Sequence, residues 1–236
     1  MRISTVSARS HDLTFLNVRY NCGFACIRCA ATVYQYCTVG EGQAQDDLFL
    51  LCPPCRQTLT AMEGGESVLA TLRANPVATQ SSLNRSGLPF MSGSSMLEVG
   101  IPPGTLMRKT VCPIRFCGEA FLVFSPPEIP EGPVQIRLTL GRKDGIVAKV
   151  IHSNEWLDSE CSEWTFQQVG NRYRIASRDE SARLVLAFTD NRRVTIEELH
   201  TRNGAKTLEI DANGVRVDGA PVELENVDSQ VIGADL

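Results

Sequence analysis

The sequence predicts an α+β fold, mainly β, in which a small cysteine-rich module precedes a strand-rich antiparallel domain. Three observations predict it. Six of the nine cysteines, Cys22, Cys26, Cys29, Cys37, Cys52 and Cys55, fall within 34 residues. A run rich in Ser, Gly, Asn and Pro follows at 76–95, and from about residue 96 short alternating segments are separated by turn dipeptides. Period-two alternation with Asp-Gly, Asn-Gly and Gly-Asn turns is the signature of hairpins.

Taken in order, residues 1–75 form the module. Its second half reads as helical, because Pro53 and Pro54 suit the first helical positions and "RQTLTAM" continues with fair helix formers. After Gly64-Gly65, "ESVLATLRAN" gives a second helix that ends at Asn75-Pro76, since proline disfavours a helical residue before it. Residues 76–95 read as a linker or long loop. The domain over 96–236 then offers "VQIRLTL" and "IVAKVIH" around "GRKDG", "WTFQQV" and "RYRIAS" around "GN", and "RLVLAF" and "RRVTIEEL" around "TDN". "KTLEI", "VRV" and "PVELEN" follow, separated by "DANG" and "DGA". A sandwich and a stacked, solenoid-like arrangement both fit, and no fixed repeat length chooses between them.

Bulk properties narrow the function classes. Hydrophobic residues make up 43% and charged residues 21% of the 236, as expected of a folded chain with a real core. A net charge of −4 and a pI of about 5.5 do not make the whole molecule an electrostatic trap for nucleic acid, although binding follows the local distribution of charge. No run approaches the roughly 18 apolar residues of a membrane span. The N-terminus lacks the apolar core and cleavage pattern of a signal peptide. The expectation is a cytoplasmic protein with no membrane partner. Nine cysteines in a reducing compartment point to metal binding or buried thiols rather than to a disulfide framework.

Cys26/Cys29 and Cys52/Cys55 are two Cys-x-x-Cys pairs separated by 22 residues, close to the spacing of two-pair zinc sites. Each pair can form a tight knuckle aiming both sulfurs at one ion, and two knuckles complete a tetrahedral thiolate shell. With every position filled by protein, no place remains for a reactive water, so the expected cofactor is structural Zn²⁺. Its value is folding free energy, of order 10 kcal/mol in finger-sized systems. A thioredoxin-like pair would leave the second Cys-x-x-Cys unexplained, and an iron–sulfur cluster is the other four-thiolate option. Cys22 and Cys37 could substitute as ligands, but packing is the ordinary role of such thiols, and of Cys112, Cys117 and Cys161 too.

The run "YNCGFACIRCAATVYQYCTVGEGQAQDDLFLLCPPCRQTL" resembles the HNH nuclease superfamily in its zinc-bearing, treble-clef, ββα-type form. The resemblance covers about residues 15–75, and "CGFACIRC", "VYQY" and "DLFLLCPPC" carry it. It implies a tyrosine-rich strand ending in a catalytic histidine and a second histidine just after the last knuckle. HNH hydrolysis uses one imidazole to activate water and usually another to hold a divalent ion at the scissile phosphate. Here those positions are Thr38 and Arg56, and the three histidines, His11, His152 and His200, all lie elsewhere. "SGLPF" at 86–90 and "SNEW" at 153–156 also look familiar for such proteins, without assigned chemistry.

Three readings follow. The first is a non-catalytic, zinc-stabilised HNH-like protein, in which Arg19, Arg28 and Arg56 lie near the former nucleic-acid face and the partner is a nucleic acid or a protein. The second is an active metal-dependent endonuclease with an altered site built on the loop carboxylates Glu41, Asp46 or Asp47, oxygen donors suited to Mg²⁺. The third is an assembly protein that forms homo-oligomers through the strand-rich domain. Trp156 and Trp164 read as core residues, with an aromatic binding surface as the alternative. The arginine-rich stretch 172–202, diluted by neighbouring acids, reads as a solvated face of mixed sign.

Overall fold

The computed structural model describes residues 1–6, 13–40, 47–80, 97–129, 132–158, 163–189, 192–228 and 231–236. Over the cysteine-rich part the chain runs β1 (Ile3–Val6), α1 (Leu13–Asn21), β2 (Gln35–Val39), β3 (Phe49–Leu51), α2 (Pro53–Ala61), α3 (Gly65–Ala74) and α4 (Val77–Gln80). The strands form one antiparallel sheet in the order β1-β2-β3. α2 starts where the prolines predict. Cys52 caps it in an extended conformation (φ −71°, ψ 157°), and Pro53 and Pro54 fill the first turn, where a missing N–H costs no hydrogen bond. Gly64 turns the chain between the helices at φ 72°, a left-handed conformation that glycine adopts without a Cβ penalty. α3 stops at Ala74, before Asn75-Pro76, as predicted.

α4 falls inside the span read as a linker. Its Ala78 is buried against Ala25 and Ala30, and the Val77 N–H donates to the Ile27 carbonyl at 3.0 Å. The start of that span is therefore packed on the cysteine-rich part, while residues 81–96, with "SGLPF", lie outside the described residues.

The rest of the chain is strand-rich. β6 (Cys112–Phe116), β7 (Glu119–Ser125), β8 (Gln135–Gly141), β9 (Val147–His152), β10 (Glu155–Trp156) and β19 (Ile232–Asp235) form a six-stranded sheet ordered β10-β9-β8-β7-β6-β19. A second sheet is an antiparallel meander of β11 (Trp164–Val169), β12 (Arg172–Ser177), β13 (Arg183–Phe188), β14 (Arg193–Asn203), β15 (Lys206–Asp211), β16 (Gly214–Val217) and β17 (Ala220–Val222). These seven lie close to the predicted segments. "PVELEN" is cut short because residues beyond Val222 bond elsewhere. The Leu224 carbonyl accepts from Thr105 Oγ1 at 3.3 Å, and Asn226 Oδ1 accepts from the Leu106 N–H at 2.7 Å.

The domain is mainly antiparallel, as expected, with three parallel pairings that the sequence did not predict. β4 (Glu98–Ile101) pairs with β14, β5 (Thr105–Arg108) with β18 (Val227–Asp228), and β6 with β19. Each joins strands distant in the chain, which turn signals between neighbours cannot reveal. The two sheets touch at Gly141, whose N–H donates to Thr201 Oγ1 at 2.8 Å. A Cβ there would sit 1.7 Å from the Arg202 carbonyl oxygen, so no other residue fits without backbone movement.

One hydrophobic core runs through both parts, from Ile27, Leu50 and Leu59 to Trp156, Phe166 and Tyr173. Trp156 and Trp164 are 2% and 3% exposed, and so belong to that core. The 172–202 stretch is the mixed-sign face expected of it, with Arg172 against Glu197 at 2.7 Å and Arg183 against Glu198. Cys22, Cys37 and Cys112 are buried, but Cys117 is exposed, because it occupies the β6–β7 turn at φ 51°. Cys161 lies outside the described residues. Among the described residues no helix is long and apolar enough to cross a membrane.

The two parts are spliced at "SNEW". The Tyr34 N–H donates to the Asn154 carbonyl at 3.0 Å and the Trp156 N–H to the Tyr34 carbonyl at 2.7 Å, which pairs Tyr34 with Glu155 in parallel. Asn154, 2% exposed and at φ 68°, uses its side chain as well. Its Oδ1 accepts from the Ile136 N–H at 2.6 Å and its Nδ2 donates to the Val134 carbonyl at 3.1 Å. Asparagine is among the few residues that tolerate this left-handed conformation.

Candidate metal centre

The first cysteine pair sits on a turn between α1 and β2. The Cys26 N–H donates to the Ala31 carbonyl at 2.9 Å and the Ala30 N–H to the Cys26 carbonyl at 2.8 Å. Ala30 takes up the left-handed conformation at φ 57° that folds the knuckle back. Two outside contacts fix this turn: the Ile27 N–H donates to the Leu50 carbonyl of β3 at 3.0 Å, and the Ile27 carbonyl accepts from α4. The second pair occupies the N-terminus of α2, with Cys52 as its cap and Cys55 in its first turn. Pro53 and Pro54 carry no N–H, so what favours negative sulfur at this end is the helix dipole.

β3 and its connection to α2 bring the two knuckles face to face. The sulfurs of Cys26, Cys29, Cys52 and Cys55 all lie within 4.8 Å of one another, and Cys29 Sγ is 3.6 Å from Cys52 Sγ. Cys26, Cys52 and Cys55 are buried and Cys29 is partly so. These four residues could hold a metal ion. Among the described residues they are the single group of converging His, Cys, Asp or Glu side chains able to do so.

The thiols behave as one electrostatic unit. Burial opposes ionisation of Cys26, but hydrogen bonds from Cys29, Cys52 and Cys55 outweigh it and hold Cys26 well below the ordinary thiol range. Cys29 and Cys52 are pushed up, chiefly because their protons are engaged in bonding Cys26. Cys22, beside the cluster, is raised to about 11 by burial. A cationic ligand at the centre would replace those protons.

The other predicted positions are dispersed. Thr38 lies in β2 opposite Ser4 of β1 and is 2% exposed, so the place expected for a first HNH histidine is filled inside a sheet. Arg56 follows Cys55 in α2 and is half-buried. Arg28 stands half-buried on the first knuckle. Arg19 is committed to a bidentate ion pair, with Nε and Nη2 2.7 and 2.9 Å from the Glu128 carboxylate. A third nitrogen, Nη1, donates to the Tyr36 hydroxyl. Burial pushes the Tyr36 phenol up to about 12, against the pull of Arg19.

Asp47 is exposed and pairs with Arg73 at 3.5 Å, while Glu41, Asp46 and His11 lie outside the described residues. His152 is half-buried on β9 opposite Glu155. His200 Nδ1, on β14, is 3.2 Å from Glu209.

Sequence reasoning missed the residues that seat the centre on the strand-rich part. Thr32, in the segment leaving the first knuckle, bonds the Tyr173 hydroxyl through its N–H at 3.0 Å and through Oγ1 at 3.1 Å. The pair is separated by 141 positions, and no local signal marks such a contact. "SNEW" was a visible signal, but its meaning is structural. Comparison of the chain with family models, with curated proteins and with solved structures gives no match.

Proposed function

We propose that this chain is a non-catalytic, zinc-stabilised binding protein, in which an HNH-like, treble-clef scaffold is kept for its shape. Four protein thiolates are the donor set zinc prefers in closed structural sites. A zinc–sulfur distance of about 2.3 Å puts the sulfurs of a tetrahedral shell about 3.8 Å apart, against 3.6 Å between Cys29 and Cys52. Bound there, zinc supplies cross-linking free energy, while the chain's own residues fix the knuckles and exclude water.

The observation that carries the non-catalytic reading is Thr38, buried at the point where water-activating imidazole would have to meet solvent and phosphate. A protein partner is favoured over a nucleic acid. Arg19 is neutralised by Glu128, and the chain carries a net charge of −4, whereas phosphate recognition draws on uncommitted cations. Arg28 and Arg56 remain the candidate contacts should the partner be a nucleic acid.

The test has two arms. Metal analysis is expected to find about one zinc per chain, with its loss in Cys52→Ser; folded protein free of metal would refute the centre. Incubation with plasmid and Mg²⁺ or Mn²⁺ is expected to leave the DNA intact. Cleavage that disappears in Asp47→Ala would overturn the non-catalytic reading and restore the altered-site endonuclease.

A further inference from the structure

We infer that the four-cysteine centre is a latch whose metal occupancy docks the cysteine-rich part on the β10–β12 corner and sets the order of that corner. The inference rests on the metal reading above and adds a conformational consequence to it. Its basis is the segment that leaves the first knuckle, residues 32–36, which bonds the strand-rich part at three successive points.

Thr32 comes first. Both its N–H and its Oγ1 meet the hydroxyl of Tyr173, at 3.0 and 3.1 Å. Tyr173 is 0% exposed, so with Thr32 in place its hydroxyl is closed to water and depends on Thr32 for its bonds. Its ring stands in an aromatic row, Trp156–Phe166–Tyr173–Phe188, with centroid spacings of 5.8, 5.1 and 5.0 Å. Tyr34 is next, exchanging backbone bonds with Asn154 and Trp156, the other end of the same row. Gln35 follows, its Nε2 donating to the Asp158 carbonyl at 3.2 Å. The Asp158 carboxylate in turn accepts the N–H groups of Glu163 and Trp164 at 3.0 and 2.8 Å, where β11 begins.

The knuckle thus fixes Thr32, Thr32 satisfies a buried hydroxyl in the middle of the row, and Tyr34 and Gln35 close the circuit around it. Buried polar groups are costly to leave unpaired, so a knuckle without its ion loosens the corner with it. The strands β15 and β16 make none of these bonds and serve as an internal reference. Coupling is reciprocal: damage to the Thr32–Tyr173 contact must weaken metal binding.

The test compares full-length protein loaded with Zn²⁺ and stripped by a chelator, using amide hydrogen exchange together with fluorescence of Trp156 and Trp164. Stripping is expected to speed exchange in β10–β12 by about tenfold or more while β15 and β16 stay unchanged. Tyr173→Phe is expected to bind zinc about tenfold more weakly and to lose most of the difference between loaded and stripped states. Thr32→Val, which keeps the N–H, serves if Tyr173→Phe does not fold, and its loss of affinity should be smaller. Zinc uptake with a response confined to residues 26–36, or spread evenly over every strand, overturns the latch alone. An unaltered affinity in the variant that folds does the same. No zinc uptake overturns the metal reading, and the latch with it.

Discussion

Replacing Asn154 by alanine perturbs the splice between the two parts at its most heavily used residue. The substitution removes the acceptor for the Ile136 N–H and the donor to the Val134 carbonyl, in a position 2% exposed. Each stranded buried group costs about 1–3 kcal/mol. Alanine also tolerates the left-handed conformation at φ 68° less well than asparagine, by roughly 1 kcal/mol. The sum is about 3–7 kcal/mol, a large share of the 5–15 kcal/mol typical of a whole domain. In a urea titration of the full-length protein followed by tryptophan fluorescence, that corresponds to a midpoint lowered by roughly 1–3 M. Asn154→Gly relieves the backbone strain but not the lost bonds, so its midpoint should lie between alanine and the parent. An alanine variant within about 1 kcal/mol of the parent would refute the reasoning, because two buried bonds could not then be at stake.

Other substitutions probe separate contacts. Gly141→Ala forces a Cβ to 1.7 Å from the Arg202 carbonyl oxygen; loss of soluble protein or destabilisation by several times that of Gly104→Ala, a turn with open space around it, is expected in thermal melts. Arg19→Met should destabilise by about 1 kcal/mol, because it removes a donor to the Tyr36 hydroxyl while water rehydrates the exposed Glu128 carboxylate, and a double-mutant cycle with Glu128→Gln should show coupling of up to about 1 kcal/mol; additive losses would contradict the ion pair. The phenol of Tyr36 is raised by burial to about 12 from an ordinary value near 10. The folded state therefore keeps a proton that the unfolded state has released. This contribution is complete below pH 10 and is lost as pH climbs from about 10 to 12, so Tyr36→Phe should flatten the alkaline fall of stability measured by denaturant titration at stepped pH.

The candidate centre was legible at the level of its ligands. Two Cys-x-x-Cys pairs with prolines after the third cysteine announce a turn, a helix start and four thiols that could share one ion, because each knuckle is a local structure. The helices at 53–61 and 65–74 and the meander from β11 to β17 were legible for the same reason. Capping, proline placement, period-two alternation and turn dipeptides all act within a few positions. β1 and β4 to β6 were not, since they are short and β6 contains Pro113; α1 and β7 were not either, since neither carries a clean helical or period-two pattern. Cys117 illustrates the limit: its residue type favours burial, but the hairpin turn it occupies places it outside.

By itself, then, the sequence determined a cysteine-rich part with two Cys-x-x-Cys pairs and a strand-rich remainder. Only the tertiary structure decided that one core serves both parts, that Arg19 pairs with Glu128, and that Thr32 and Tyr173 meet. The physical reason is range. Local backbone preferences are written in neighbouring residues, whereas the parallel pairings, the Gly141 contact and the Thr32–Tyr173 bond join positions tens to more than a hundred residues apart. Their partners are selected by packing and by the need to satisfy buried polar groups, and no stretch of sequence states that choice on its own.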